Sequence, residues 1–308
     1  MIDTLLPVLP VLLLFLVGFS LQKISFFSSS SIADMKKLVS NLALPALMIQ
    51  AFSSIEIEAK YLLLVILIFL TCGLMVILGK ILAKPFKVKS PYFAFMMGGF
   101  EMGMFGYALF LGLYGQQHIG KLALVDLGQV LFVFFILMAL LIKERGDVSH
   151  PSALLKQFIT SPVILAIFSG LIISLLKPHV RPTPLLASLG EFIDMLSRLT
   201  VPLIAITIGY GIHFQKEGLK DSLKTILVRK GLAIVLLLLL NELVVVRWLG
   251  MHPMYRYGMM VMFLTPPPYV ISIFMKQDDK RNMDYVANTL SLDTVISVLL
   301  IIVFASFY

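Results

Sequence analysis

"MFLTPPPYVISIF", residues 262–274, sets three consecutive prolines inside a stretch that otherwise reads as a membrane span. From Tyr257 to Met275 there are 19 residues without a charge, and at about 1.5 Å of rise per residue they extend roughly 28 Å, close to one hydrocarbon thickness. Pro266, Pro267 and Pro268 fall at the centre. Each removes a backbone donor and clashes with the preceding turn, so the helix breaks where freed carbonyls have no lipid-side water to turn to. Such a break is tolerated only against protein or a wet cavity, and the prolines therefore imply a partner element at the same depth.

The rest of the 308 residues agrees with a membrane setting. The chain is 59% hydrophobic and 14% charged, with mean hydropathy +0.98, where a soluble domain carries roughly a quarter charged residues. Its formal charge of +8 is spread over short loops without aromatic interleaving, which excludes a nucleic-acid surface and fits positive-inside topology. Cys72 stands alone in an apolar run, so neither a disulfide framework nor a thiolate metal site is available. The first 23 residues lack a basic leader region and read as a span rather than a signal peptide. Apart from the short "SSSS" at 28–31 there is no linker, and one membrane domain fills 1–308.

Mainly uncharged runs lie near 4–22, 36–53, 61–82, 91–113, 119–142, 159–176, 186–212, 229–249, 256–275 and 284–307. The fold class expected is all-α and polytopic, with ten transmembrane helices. The odd connections then hold 18 Lys and Arg and the even ones 6, which puts the odd loops in the cytoplasm and both termini outside. Five spans followed by five place equivalent helices in opposite orientation, as two inverted repeats of about 1–147 and 155–308. "LVSNLALPALMI" (38–49) aligns with "MLSRLTVPLIAI" (195–206), matching Ser40 with Ser197 and Pro45 with Pro202. The fourth span should then be broken like the ninth, and "MMGGFEMGMFGYALF" (96–110) carries Gly98, Gly99, Gly103 and Gly106 around Glu101. Glycine makes unwinding cheap. Two interrupted spans crossing near the bilayer centre would present their half-helix ends to a solute, as secondary transporters do.

At these residues the chain resembles the auxin efflux carrier family of membrane permeases. Asn41 and Pro45 in "SNLALPALMI" resemble the family's Asn-x-x-x-Pro second helix, "GMFGYALF" (103–110) its Gly-Phe-x-Gly-x-Pro-Leu stretch, "VPLIAITIGYGI" (201–212) its seventh helix and "TPPPYV" its ninth. The likeness implies a fold with crossing helices four and nine, dimerisation, and elevator-like alternating access for small organic anions. Glu101 stands where the family commonly has Asn, and Ala108 where it has Pro.

Intramembrane charge is costly, about 2.5–3.5 kcal/mol at the bilayer centre, and so marks function. Glu101 could carry a proton or coordinate a cation, or be satisfied by backbone N–H groups of the opposing break. Asp126 and Gln129 share a face of the fifth helix; Asn288 and Ser291, and the stripe Thr289, Asp293 and Ser297, do so on the tenth. Arg198, opposite Asn41 in the repeat alignment, could bind a carboxylate, while Asp194 one turn earlier offers a local partner. The expected substrate-binding set is Asn41, Pro45, Glu101, Met102, Gly103, Gly106, Asp126, Gln129, Arg198, Pro266, Pro267, Pro268, Tyr269, Asn288 and Asp293. Met96, Met97, Met102, Met104, Met259, Met260 and Met262 read as gap-filling core or as a soft lining. Glu242 beside Asn241 reads as reaching interfacial water or Arg247.

His118, His150, His179, His213 and His252 fall in or beside loops, never at i, i+4, so no metal site or cofactor is expected. The absence of a P-loop argues against an ATP-driven pump, and no paired ligands or activated nucleophile suggest an enzyme. The expectation is a secondary transporter of small organic anions, with coupling to H+ or Na+ open, working as a homodimer in the plasma membrane, the short loops pointing to a bacterial inner membrane. The alternatives are a sodium-coupled carrier of the bile-acid symporter type and a sensor or scaffold without flux.

Overall fold

A computed structural model describes residues 2–55, 58–146, 156, 159–176, 183–212, 218–276 and 278–307. His150, His179 and His213 and the loop cations Lys177, Arg181 and Lys216 lie outside the described residues. The described residues form helices joined by turns and short breaks, without strands. In chain order the helices are α1 (Ile2–Lys23), α2 (29–53), α3 (Ala59–Phe86), α4 (Tyr92–Phe95), α5 (Met102–Tyr114), α6 (Gln116–Arg145), α7 (Pro162–Leu176), α8 (Pro184–Gly211), α9 (Leu219–Trp248), α10 (Pro253–Leu264), α11 (Val270–Phe274) and α12 (Lys280–Phe307). By length and composition, α1, α3, α6, α8, α9 and α12 are each long and apolar enough to cross a membrane.

Two helix starts differ from the hydropathy reading. The "SSSS" read as a linker opens α2: Ser28 caps it, its Oγ accepting from the Ser31 N–H at 3.1 Å, which satisfies a donor that the first turn leaves free. Helix α9 begins at Leu219, ten residues before the apolar run at 229. Arg229 and Lys230, counted above with the loop cations, are therefore inside a helix and buried, and the odd-loop count of 18 falls by two. An averaged hydropathy window rejects "LKDSLKTILVRK" because it scores each charge as if it faced lipid.

Helices α1, α2, α7 and α8 pack chiefly on one another, α1 against the second half of α8 and α2 against α7 and the first half of α8. A Cβ on Gly18 would collide with the Ile206 carbonyl, and one on Gly209 with the Phe15 carbonyl. Small residues thus let the two backbones touch, as is usual where lipid tails supply no hydrophobic drive for helix association. Helices α3 to α6 and α9 to α12 form the other packing group, with α3 on α6, α9 on α12 and α10 on α6. Cys72 is wholly buried in this group. The two broken stretches lie inside it.

Candidate functional site

The α4–α5 break (96–101) and the α10–α11 break (265–269) meet backbone to backbone. The Glu101 N–H donates to the Pro266 carbonyl at 2.9 Å. Thr265, preceding a proline, is extended, with φ −69° and ψ 160°, as the proline ring requires. Gly99 turns the other broken segment with φ +77°, a conformation that side-chain-bearing residues rarely adopt. Pro266, Pro267 and Pro268 are buried and Tyr269 partly so.

Polar groups freed by the breaks find partners inside the protein, as burial demands. Carbonyls at the C-terminal ends of α4 and α10 meet cations from α9. Arg229 Nη1 donates to the carbonyls of Met96 (2.6 Å) and Met97 (2.8 Å), and its Nη2 to those of Gly99 (2.8 Å), Pro266 (3.3 Å) and Thr265 (3.5 Å). Lys230 Nζ donates to Leu264 O (2.7 Å), Thr265 O (3.1 Å) and Ser297 Oγ (2.8 Å). Asp293 on α12 stands 2.8 Å from the Lys230 ammonium and 3.6 Å from Arg229 Nε. The Arg229 guanidinium also lies over the Phe100 ring, 5.1 Å from its centroid.

The N-terminal ends of α5 and α11 meet an anion instead. One Glu101 oxygen accepts from the Met104 N–H at 3.0 Å and the other from the Tyr269 N–H at 2.7 Å. The crossing is thus charged as helix dipoles favour, cations on the C-terminal carbonyls and a carboxylate on the N-terminal amides. Asp126 takes hydrogen bonds from Tyr107 (3.1 Å) and Gln129 (2.6 Å), and the Gln129 carbonyl accepts the Phe100 N–H at 3.2 Å. The α6 pair therefore holds the first break in place.

Of the residues singled out from sequence, Glu101, Met102, Gly103, Gly106, Asp126, Gln129, Pro266, Pro267, Pro268, Tyr269 and Asp293 come together at or beside the crossing. Asn288 is buried on α12 between Tyr285 and Thr289. Pro45 is buried in α2. Asn41 is exposed. Arg198 is away from the crossing: its side chain is 71% exposed and its Nε pairs with Asp194 at 2.7 Å, the local partner that the helix offered. Asp194 also accepts from Gln50 (3.0 Å). Glu242 pairs with Arg247 at 2.9 Å. Met96, Met97, Met102, Met259, Met260 and Met262 are fully buried core.

Sequence reasoning missed Arg229, Lys230 and Lys36. A signal was present for the first two, which are flanked on both sides by apolar residues in "TILVRKGLAIV" (225–235). Lys36 lines a cavity of about 330 Å³ beside the crossing, with Met104, Thr207, Tyr269, Ser272, Ser291 and Thr294 among its walls and Ile208, Ile212, Ile273 and Leu290 as its apolar part. Met104 and Tyr269 are the residues whose amides hold Glu101, so the cavity abuts that carboxylate.

Buried charge at two crossed helix breaks, inside a chain of apolar helices, is the architecture of a membrane transporter. The chain matches the family described as membrane transport protein over residues 3–305, and it belongs to that family, the auxin efflux carrier-like group. It is also 27% identical, over 215 residues, to an uncharacterised transporter of Methanocaldococcus jannaschii, the match covering 66% of this chain and 67% of the relative. It is a multi-pass integral membrane protein, and members of its family are transporters rather than enzymes.

Proposed function

We propose that this chain is a secondary transporter of small organic anions, specifically of carboxylates with an apolar body. The observation that carries the reading is the cavity of about 330 Å³ beside Glu101. Lys36 is the charged residue among its lining, and Lys36 Nζ and the Ser291 hydroxyl have no hydrogen-bond partner among the described residues. Four aliphatic side chains form the remaining wall. A carboxylate against Lys36 and Ser291 with its carbon skeleton on those aliphatics would match this lining.

On this reading the helices make ten spans in two inverted repeats, with α4–α5 and α10–α11 as the broken pair, and both termini outside the plasma membrane. Lys36, Gly211 and Ile212 sit at the ends of α2 and α8 that adjoin odd connections, so the cavity faces the cytoplasm. The group α3–α6 with α9–α12 would move as a unit against α1, α2, α7 and α8, in a homodimer, to expose it to the other side.

Counterflow in proteoliposomes tests this, with labelled dicarboxylate, short monocarboxylate, aromatic acetate and amino acid. Saturable exchange of a monocarboxylate is expected, and Lys36→Gln should raise its KM about tenfold or more, the scale of a charged hydrogen bond. Silence across the panel at several pH values would remove the anion reading and favour a sensor or scaffold.

A further inference from the structure

Carbonyls released by crossed helix breaks form the kind of oxygen cage that binds a coupling cation in broken-helix transporters. In this chain two adjacent side chains fill it. Four oxygens surround the Lys230 ammonium: Leu264 O at 2.7 Å, Ser297 Oγ and Asp293 Oδ1 at 2.8 Å, and Thr265 O at 3.1 Å. They come from α10, the proline break and α12, and a compact, three-donor cation sits among them. Arg229 takes the carbonyls of the opposite break and also reaches Thr265 O and Pro266 O of the proline break. Two side-chain cations face one carboxylate, and the remaining positive charge rests on carbonyls that the breaks release, those of Met96, Met97 and Gly99 on one side and of Leu264, Thr265 and Pro266 on the other. A further free cation would add positive charge to a buried site, which is strongly unfavourable.

We propose that Lys230, supported by Arg229, is a tethered substitute for a coupling cation: it occupies a site built for a monovalent cation of ammonium size, so that transport needs neither Na+ nor K+. Truncating the side chain would then turn the cage into a binding site for a free cation. An ordinary structural ion pair predicts no such conversion. The bearing on coupling rests on the secondary-transport reading, whereas the cage itself does not.

Thermal melting of the purified full chain in detergent, in NH4Cl, KCl, NaCl or choline chloride at equal ionic strength, tests the cage without any substrate. The wild-type protein should melt at one temperature in all four salts. Lys230→Ala should melt lower in choline and recover saturably, by about 2 °C or more, in at least one of the three small cations. Lys230→Met, which fills the space with an uncharged chain, should show no cation-specific recovery. Stabilisation of the wild type by Na+ or K+ over choline overturns the proposal, as does Lys230→Ala that behaves alike, folded or unfolded, in every salt. Counterflow that requires Na+ would overturn the coupling half, while silence across the anion panel with the expected melting pattern counts against the substrate reading alone.

Discussion

The carboxylate of Glu101 accepts the backbone N–H of Tyr269 at 2.7 Å, across 168 residues of chain. In the other direction the Glu101 N–H reaches the Pro266 carbonyl. One residue therefore closes the crossing with both its backbone and its side chain, and its second oxygen caps α5 through Met104.

Glu101→Gln keeps one acceptor oxygen and should leave the protein folded with a modestly lower melting temperature. Glu101→Ala strands the Met104 and Tyr269 amides, and at about 1–3 kcal/mol for each buried unsatisfied group it should cost about 2–6 kcal/mol. Thermal melting of the two variants in detergent checks the order. Equal melting temperatures for wild type and Ala would mean that the carboxylate does not hold the crossing.

Asp293→Asn leaves two buried cations facing a neutral amide and should destabilise by about 3–5 kcal/mol, the range for breaking a buried pair from one side. Arg229→Lys is expected to destabilise as well, because an ammonium cannot span the five carbonyls that the guanidinium reaches. Denaturant titrations followed by tryptophan fluorescence would report both, since Trp248 is the chain's one tryptophan.

Arg198→Ala should change stability by less than about 1 kcal/mol, as exposed ion pairs contribute little. It should also leave the KM for any transported anion unchanged, because the guanidinium is 71% exposed and held by Asp194 away from the cavity. A severalfold rise in KM would restore Arg198 as a substrate ligand.

Gly209→Ala puts a methyl group into the Phe15 carbonyl, and Gly18→Ala one into that of Ile206. Overpacking of this kind costs about 1–3 kcal/mol, here by forcing α1 and α8 apart. Each single variant should melt below wild type. The double variant should cost less than the sum, because separating the helices once relieves both clashes.

Both helix breaks were legible along the chain. Three prolines and a glycine cluster are local signals, and each acts on its own backbone wherever the helix ends up. Asp126, Gln129 and Asp293 were also legible, since a carboxylate or amide in an apolar run has few lipid-facing options. Arg198 was a divided reading: its two rivals, a substrate and a neighbouring acid, give the same sequence pattern, and only the direction of the side chain separates them.

What the sequence by itself determined is the membrane setting, the helical class and the places along the chain where two helices must open, because hydropathy, proline and glycine act through the residue's own backbone and its contact with lipid. What only the tertiary structure decided is who answers the opened backbone. Arg229 and Lys230 look like loop cations to a hydropathy average, yet they bond carbonyls 34 to 133 residues away. A buried charge survives through oxygens brought to it by other helices, and no property of its own neighbours in sequence specifies where those oxygens come from.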